Sequence, residues 1–186
     1  MAFEIRRLPL DGVVEIRPDR FGDDRGFFSE VWNKQGLVAH GIDVDFVQDN
    51  HSLSAAKGVV RGLHYQLQPA AQDKLVRVTR GAVFDVGVDI RPGSPTFSQW
   101  VGVTLSAEDW NQLLIPKGFA HGFLTLTENC EVQYKVSAPY SPEHDRSIRF
   151  DDADISIDWP DVGVEPQLSQ KDRDARTLAE ARAELG

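Results

Sequence analysis

Short runs of alternating apolar and polar residues fill the middle of the chain. Between residues 83 and 90, apolar side chains alternate with small or acidic ones, which predicts a half-buried strand. The run LVRVT at residues 75–79 precedes it across Arg80-Gly81-Ala82, and this short glycine-containing link predicts a hairpin. Further strands are predicted by the apolar runs at 100–105, 112–115, 122–126 and 131–136.

Strands this short, about ten residues apart with Gly or Pro between them, are typical of an all-β sandwich or barrel. Repeated helical crossovers, which a parallel α/β fold requires, are not evident. Residues 173–185 predict a C-terminal helix, and residues 29–41 are a candidate for a helix of two turns. We find no internal repeat, low-complexity tract or linker, so residues 1–186 are predicted to form one domain.

Composition restricts the partners of the chain. Its 186 residues are 41% hydrophobic, enough for one domain with a proper core, and 20 basic against 29 acidic residues give a net charge of −9 and a pI near 5.0. This balance argues against nucleic acid or an anionic membrane as the main partner, although a local basic cluster could still bind a phosphorylated small molecule. The N-terminus lacks a secretion signal and no apolar run approaches a membrane span, which predicts a soluble cytoplasmic protein.

A single cysteine, Cys130, excludes an intrachain disulfide and a cysteine metal cage. The segment VVRGLHYQ at 59–66 instead draws attention to His64, because an imidazole titrates near neutrality and suits proton abstraction. Strict alternation would place Arg61 and His64 on opposite faces of a strand, so Gly62 is expected to mark a bulge or a strand start that re-aims one of them. The alternative is an ordinary hydrogen-bonded histidine, which the nearby cations Arg61 and Lys74 disfavour.

A second histidine, His121, lies in the segment PKGFAHGF at 116–123, which has the P-x-G-x-x-H form found in cupin barrels. His64 and His121 could in principle share a metal ion. A metal-binding cupin normally has another histidine two residues after the first, and here that position is Gln66, a poor ligand. A stable site needs three or four suitable ligands, so the sequence predicts a cupin-like pocket without a metal.

Other residues could contribute to a site. Tyr134 shares strand parity with Cys130 and Val132 and should face the interior, as a core tyrosine or as a proton donor. Phe28 and Tyr140 could stack on a base or simply pack. Four basic residues could hold a diphosphate, although each alone could equally be a solvated surface charge: Arg25, Arg61, Lys74 and Lys171.

Nine segments, in order across about 150 residues, resemble the dTDP-4-dehydrorhamnose 3,5-epimerase family. They are DRGFFSE at 24–30, QDNHS at 48–52, VRGLHYQ at 60–66, KLVRV at 74–78, RGAVFDV at 80–86, DIR at 89–91 with GSPT at 93–96, residues 115–123, YK at 134–135 and SQKD at 169–172. Any one could occur by chance, but nine in order with this spacing could hardly do so.

The resemblance implies an all-β, metal-free cupin-type jelly roll with a short C-terminal helix and no cofactor. It also implies a homodimer in which N-terminal strands are exchanged between subunits. Within the site it implies that His64 is the base, oriented by Asp172, and that Tyr134 is the acid on the opposite face of the sugar. Lys74 would stabilise the enolate oxygen.

The resemblance further implies substrate contacts. His121 would approach the same region of the sugar as Lys74, and the aromatic rings of Phe28 and Tyr140 would lie near the thymine. Asp145 stands where relatives often carry Glu, which leaves its role open. The remaining residues expected to contact nucleotide, diphosphate or sugar are Arg25, Glu30, Gln48, Asn50, Arg61 and Lys171.

The implied reaction is epimerisation at C3 and C5 of dTDP-4-dehydro-6-deoxy-D-glucose, which gives dTDP-4-dehydro-L-rhamnose. Three alternatives stay open at this point. One is epimerisation at C3 or C5 alone on a related 4-keto-deoxysugar, which would use the same histidine and tyrosine. The others are a keto-isomerase on a cupin barrel and a non-catalytic sugar-nucleotide-binding module. A binding module would need neither a base nor an opposed acid.

Overall fold

A computed structural model describes residues 2–185, which form thirteen strands and three short α-helices. The strands are β1 (Phe3–Arg7), β2 (Val14–Pro18), β3 (Phe21–Asp23), β4 (Gly26–Phe28), β5 (Gln48–Ser54), β6 (Val60–Gln66), β7 (Lys74–Arg80), β8 (Ala82–Asp89), β9 (Trp100–Ser106), β10 (Gln112–Ile115), β11 (Phe119–Thr125), β12 (Cys130–Val136) and β13 (Asp145–Ser147). The helices are α1 (Lys34–Val38), α2 (Gln170–Arg173) and α3 (Leu178–Ala181), followed by one 3₁₀ turn at Arg182–Glu184.

Two antiparallel sheets pack face to face. One has the strand order β1-β2-β10-β7-β12-β5 and the other β13-β6-β11-β8-β9, while β3 and β4 form a separate hairpin. The predicted all-β cupin-type jelly roll is confirmed, and so are the central strands β7 to β12. The short strands β1, β2, β3, β4, β5 and β13 were not predicted from alternation. In β5, which reads QDNHSLS, polar side chains hide the strand signal.

The predicted hairpin at Gly81 is wrong. β7 and β8 follow one another in the chain, but β7 pairs with β10 and β12, whereas β8 pairs with β9 and β11. The link is therefore a corner between the two sheets. Gly81 turns it with φ of 77°, at a point where a Cβ atom would lie 2.4 Å from the Thr127 hydroxyl.

The expectation that residues 83–90 are half-buried is also wrong, because β8 is buried on both faces. Val83 faces the space between the sheets, with Leu105 and Phe123. Val86 and Val88 face outwards, but residues 148–185, the C-terminal segment, cover them with side chains such as that of Leu178. β8 is buried on both faces because that segment covers its outer face. Alternation within the strand cannot reveal this cover.

The predicted helices are partly correct. α1 lies within the candidate region 29–41, where the Asn33 side chain accepts a hydrogen bond from the Gly36 amide at the N-cap. The continuous helix predicted over 173–185 is wrong, because Arg176 forms a β-bridge with Ile148. α2 ends at Arg173, and Thr177 then starts α3 with a capping box, so the helix within 173–185 is confined to α3 and the 3₁₀ turn that follows it.

Among residues 2–185, no helix is long and apolar enough to cross a membrane; the longest, α1, has five residues. The cytoplasmic location expected from the sequence stays a prediction.

Gly62 places Arg61 and His64 on the same side of β6. The pairing of β6 with β11 shifts register here, because Arg61 lies opposite Phe123 and His64 lies opposite His121. Three residue steps on β6 thus match two on β11, which is the bulge expected from the sequence. The Gly62 φ is 141°, and a Cβ there would lie 2.5 Å from the Gly122 Cα atom.

We expect Gly62→Ala to lower the free energy of unfolding by about 3–5 kcal/mol, since a strained backbone and an overlap with backbone atoms act together. Gly26→Ala is the matched control, because Gly26 has a similar φ of 131° and no atom within 4 Å of its would-be Cβ. Strain alone should lower its stability by about 1–2 kcal/mol. Urea unfolding of both variants measures the difference, and equal losses would contradict the role assigned to the bulge.

Candidate active site

The space between the sheets has an apolar end and a polar end. At the apolar end, side chains such as Val78, Leu113 and Val132 form a closed cluster. At the other end the same sheets enclose a cavity of about 230 Å³. Eight of the residues predicted for the site belong to this region and line the cavity: Gln48, Asn50, His64, Lys74, Tyr134, Tyr140, Asp145 and Lys171.

His64 is held by Asp172 from outside the barrel. The His64 Nε2 atom lies 2.5 Å from Asp172 Oδ1, and Asp172 is 4% exposed. The carboxylate accepts the Nε2 hydrogen, so Nδ1 retains the free lone pair of the ring. Ser169 caps α2 and donates to the second carboxylate oxygen at 2.7 Å. The C-terminal segment thereby fixes the orientation and tautomer of His64.

Burial sets the protonation of this pair. It lowers the pKa of His64 below its ordinary value, although the Asp172 charge opposes the shift. Burial alone would raise the pKa of Asp172, but hydrogen bonds from His64 and Ser169 bring it below its usual value. At neutral pH the imidazole is therefore neutral and the carboxylate is ionised.

Lys74 is a buried amine beside His64. Its Nζ atom donates to the backbone oxygen of His64 at 3.3 Å, and the residue is 8% exposed. Burial lowers the pKa of Lys74 to about 8, while the charges of Asp85 and Asp145 act in the opposite direction. The amine is thus mostly protonated at pH 7 and titrates just above it.

Tyr134 comes from the opposite sheet. It lies on β12, faces inwards as predicted, and packs against the apolar cluster. Burial raises the pKa of Tyr134 above its usual value, so the phenol keeps its proton at neutral pH. A neutral base on β6 and a protonated phenol on β12 therefore line one cavity from two different sheets.

A polar group lies at the cavity mouth. Asp145 accepts a hydrogen bond from the Tyr140 hydroxyl at 3.2 Å and pairs with Lys171 Nζ. The Tyr140 backbone amide donates to the Gln48 side chain at 3.1 Å, which in turn donates to Asn50 at 2.9 Å. The Tyr140 ring remains 56% exposed and offers a free face.

The remaining predicted residues lie outside this cavity. His121 is buried opposite His64, and its Nε2 atom lies 3.0–3.1 Å from both carboxylate oxygens of Asp85. Arg61 donates to the Ser54 hydroxyl at 3.1 Å. Three residues are not brought to the cavity at all, since they belong to the β3–β4 hairpin and the residues just after it: Arg25, Phe28 and Glu30.

Gln66 and Gln72 also line the cavity, and neither was predicted as a site residue. The Gln66 amide donates to the backbone oxygens of Ala70 and Pro139 and accepts from the Ser141 amide, so its polar atoms are committed to two loops. The sequence signal that could have indicated Gln66 is its parity with His64. Within residues 2–185 no group of three or more His, Cys, Asp or Glu side chains is placed to hold a metal ion.

Known proteins match the chain over nearly its full length. A family model described as dTDP-4-dehydrorhamnose 3,5-epimerase matches residues 7–180. A protein of that name from Sinorhizobium fredii is 54% identical over 93% of this chain and 88% of its own length. Another from Pseudomonas aeruginosa is 53% identical over 94% of this chain and 96% of its own length.

A solved structure agrees in fold as well as in sequence. It is that of a dTDP-6-deoxy-D-glucose-3,5-epimerase from Legionella pneumophila in complex with dTDP-4-keto-L-rhamnose. It is 50% identical, covers 98% of this chain and 96% of its own, and superposes with a TM-score of 0.93. Sequence, fold and the order of the nine segments therefore agree, and the chain belongs to the dTDP-4-dehydrorhamnose 3,5-epimerase family.

Proposed function

We propose that this enzyme, an isomerase, epimerises C3 and C5 of dTDP-4-dehydro-6-deoxy-D-glucose and releases dTDP-4-dehydro-L-rhamnose. The observation that carries the proposal is the placement of a neutral histidine and a protonated tyrosine on opposite sheets around one cavity. Membership of the 3,5-epimerase family supports the substrate and favours two inversions over one. A binding module would not need this pair.

The 4-keto group makes the reaction possible without redox chemistry. It acidifies the C–H bonds at both neighbouring carbons, so His64 Nδ1 can take a proton while the bonding electrons move to the carbonyl oxygen as an enolate. The Tyr134 hydroxyl then donates a proton to the same carbon from the other face. The configuration inverts, and proton exchange with solvent restores the neutral histidine and the phenol.

Lys74 is proposed to stabilise the enolate oxygen. Its protonated amine is fixed in a buried position before reaction, so little reorganisation is needed as negative charge develops. A preorganised charge of this kind is often worth on the order of 3–4 kcal/mol in the barrier. Enclosure between the sheets limits water, which would otherwise reprotonate the enolate from either side.

The polar groups at the mouth fit a nucleoside diphosphate. Lys171 at the mouth, and Arg61 outside the cavity but near enough for its charge to act on Tyr134, would supply positive charge for phosphate oxygens. Tyr140 presents an exposed ring on which a thymine could stack. His121 would approach the sugar, and Gln48 and Asn50 would contact the nucleotide, the diphosphate or the sugar. Asp145 already binds both Lys171 and Tyr140, which supports a role in holding these two side chains at the mouth.

We further propose a homodimer in which the N-terminal strands are exchanged. The β3–β4 hairpin carries three strongly exposed aromatic rings, Phe21, Phe27 and Phe28, of which Phe28 is 64% exposed. Phe27 packs against Trp110, away from the cavity that holds His64. Exchange would carry Arg25, Phe28 and Glu30 to the cavity of the second subunit.

Isotope exchange separates the base from the acid. In D₂O, Tyr134→Phe should incorporate deuterium at C3 or C5 with little inverted product, because His64 can still remove a proton and return a deuteron to the same face. His64→Ala should show neither exchange nor inversion, and Asp172→Asn should slow both strongly in a folded protein. NMR of the sugar protons reports both outcomes and also counts the inverted centres. Inversion by Tyr134→Phe at the wild-type rate would exclude Tyr134 as the donor.

Chelation should leave activity unchanged. The Nε2 atoms of His64 and His121 are bound by aspartates, and Gln66 is committed to backbone groups. The cupin positions therefore offer at most the two Nδ1 atoms, fewer than the three or four ligands of a stable site. We expect prolonged EDTA treatment to leave kcat within error of the untreated enzyme and elemental analysis to find no stoichiometric ion. Loss of activity that one divalent metal restores would contradict metal independence.

Complementation tests the exchanged dimer. The His64→Ala variant and an Arg25→Ala, Phe28→Ala double variant should each be nearly inactive. Unfolded and refolded together, they form mixed dimers with one intact site if the hairpin serves the partner, and about a quarter of wild-type activity should return for random pairing. Analytical ultracentrifugation should give twice the chain mass of 20.8 kDa. A dimer that shows no complementation would place the hairpin residues in their own subunit's site.

A further inference from the structure

Asp85 is a fully buried carboxylate that the proposed proton transfers do not use. It lies on β8, on the strand face that also carries Val83 and Gly87, and its exposure is 0%. Both of its oxygens lie 3.0–3.1 Å from His121 Nε2. A buried charge is costly unless it is paired, so this contact requires an explanation in the fold or in the chemistry.

The pair of Asp85 and His121 lies next to the pair of Asp172 and His64. His121 is opposite His64 in the register of β6 and β11, and residues in such positions have Cβ atoms about 5 Å apart. Because the Asp85 carboxylate can only accept, the Nε2 atom of His121 must donate, and Nδ1 is left free. Asp85 thus selects the tautomer of a buried histidine that lies opposite His64.

Asp85 also acts on Lys74. Among the charges that favour the protonated amine, that of Asp85 has the largest effect, ahead of Asp145 at the mouth. The charge of Lys171 opposes that of Lys74. The titratable groups around Lys74 come from six elements: Asp85, His121, His64, Tyr134, Asp145 and Lys171. Only Asp85 combines a negative charge with complete burial, where screening by solvent is weakest.

We propose that Asp85 is a positioning residue of the active site, which holds the His121 ring through Nε2 and supplies the buried negative charge that keeps Lys74 protonated. This inference rests on the proposed function, because it assumes that Lys74 acts as a cation in the reaction. Asp85 would influence catalysis without touching the substrate. A purely structural role would require only that the pair stabilise the fold.

The pH dependence of kcat/KM in Asp85→Asn separates these roles. In the wild type, activity should rise as His64 loses its proton, with a midpoint below pH 6.5, and fall near pH 8 as Lys74 loses its own. Removal of the Asp85 charge favours the neutral amine, so the alkaline limb should move down by about one pH unit. At pH 7 this shift alone should lower kcat about twofold, and loss of the bond that holds the His121 ring should lower kcat further.

Asp89→Asn is the matched control. Asp89 lies on the same strand, four residues later, and is equally buried, but it binds Arg91, Ser94 and Thr96 in a loop. We expect this variant to lose stability while its alkaline limb stays in the wild-type position. His121→Gln is a second comparison, because it keeps the Asp85 charge. It should lower kcat and leave the alkaline limb in place.

A measurement on the wild-type protein keeps the inference testable if Asp85→Asn does not fold. Two-bond ¹H–¹⁵N NMR spectra, with His121 assigned from His121→Gln, should show that the neutral His121 ring carries its proton on Nε2. An Nδ1-protonated His121, or a folded Asp85→Asn with wild-type kcat and alkaline limb, would overturn the role of Asp85. If His64→Ala is inactive in the same assays, the proposed function survives that result; if His64→Ala is active, the proposed function itself fails.

Discussion

The division of the barrel interior into an apolar end and a polar end is the constraint on which the site depends. Side chains such as Val76 and Val132 pack between the two sheets at one end. The same strands, β7 and β12, carry Lys74 and Tyr134 at the other end. Because close-packed strands have little freedom to shift, the apolar packing also fixes where the polar groups lie.

Burial moves the pKa values of base and acid in directions that suit proton transfer. Burial keeps His64 neutral at pH 7 and keeps the proton on Tyr134, so the base can accept while the acid can donate. The same burial works against Lys74, whose charge depends on nearby carboxylates, chiefly Asp85. Burial therefore gives His64 and Tyr134 the protonation states that the reaction requires. At Lys74 the charge of Asp85 offsets the effect of burial.

The C-terminal segment links this chemistry to the outer surface of the barrel. Its apolar residues, such as Ile155 and Leu178, cover the outward face of the five-stranded sheet. Asp152 accepts a hydrogen bond from the Leu178 amide at 2.8 Å and so joins α3 to the preceding loop. α2 then places Asp172 behind His64, which means that packing on the outer face orients a side chain inside the barrel.

Alternation in the sequence determined where the central strands lie and which residues of each strand share a face, and it placed Tyr134 inwards. The ordered segments indicated the family, and they contain six of the eight predicted residues that line the cavity, all except Tyr140 and Asp145. Alternation could not identify β5, whose inward residues are polar because they line the site, or the break at Arg176 in the predicted C-terminal helix. It also could not assign Asp85 a partner. Which strands pair, what covers a face and which charges meet depend on contacts between residues far apart in the chain, and only the tertiary structure decided these.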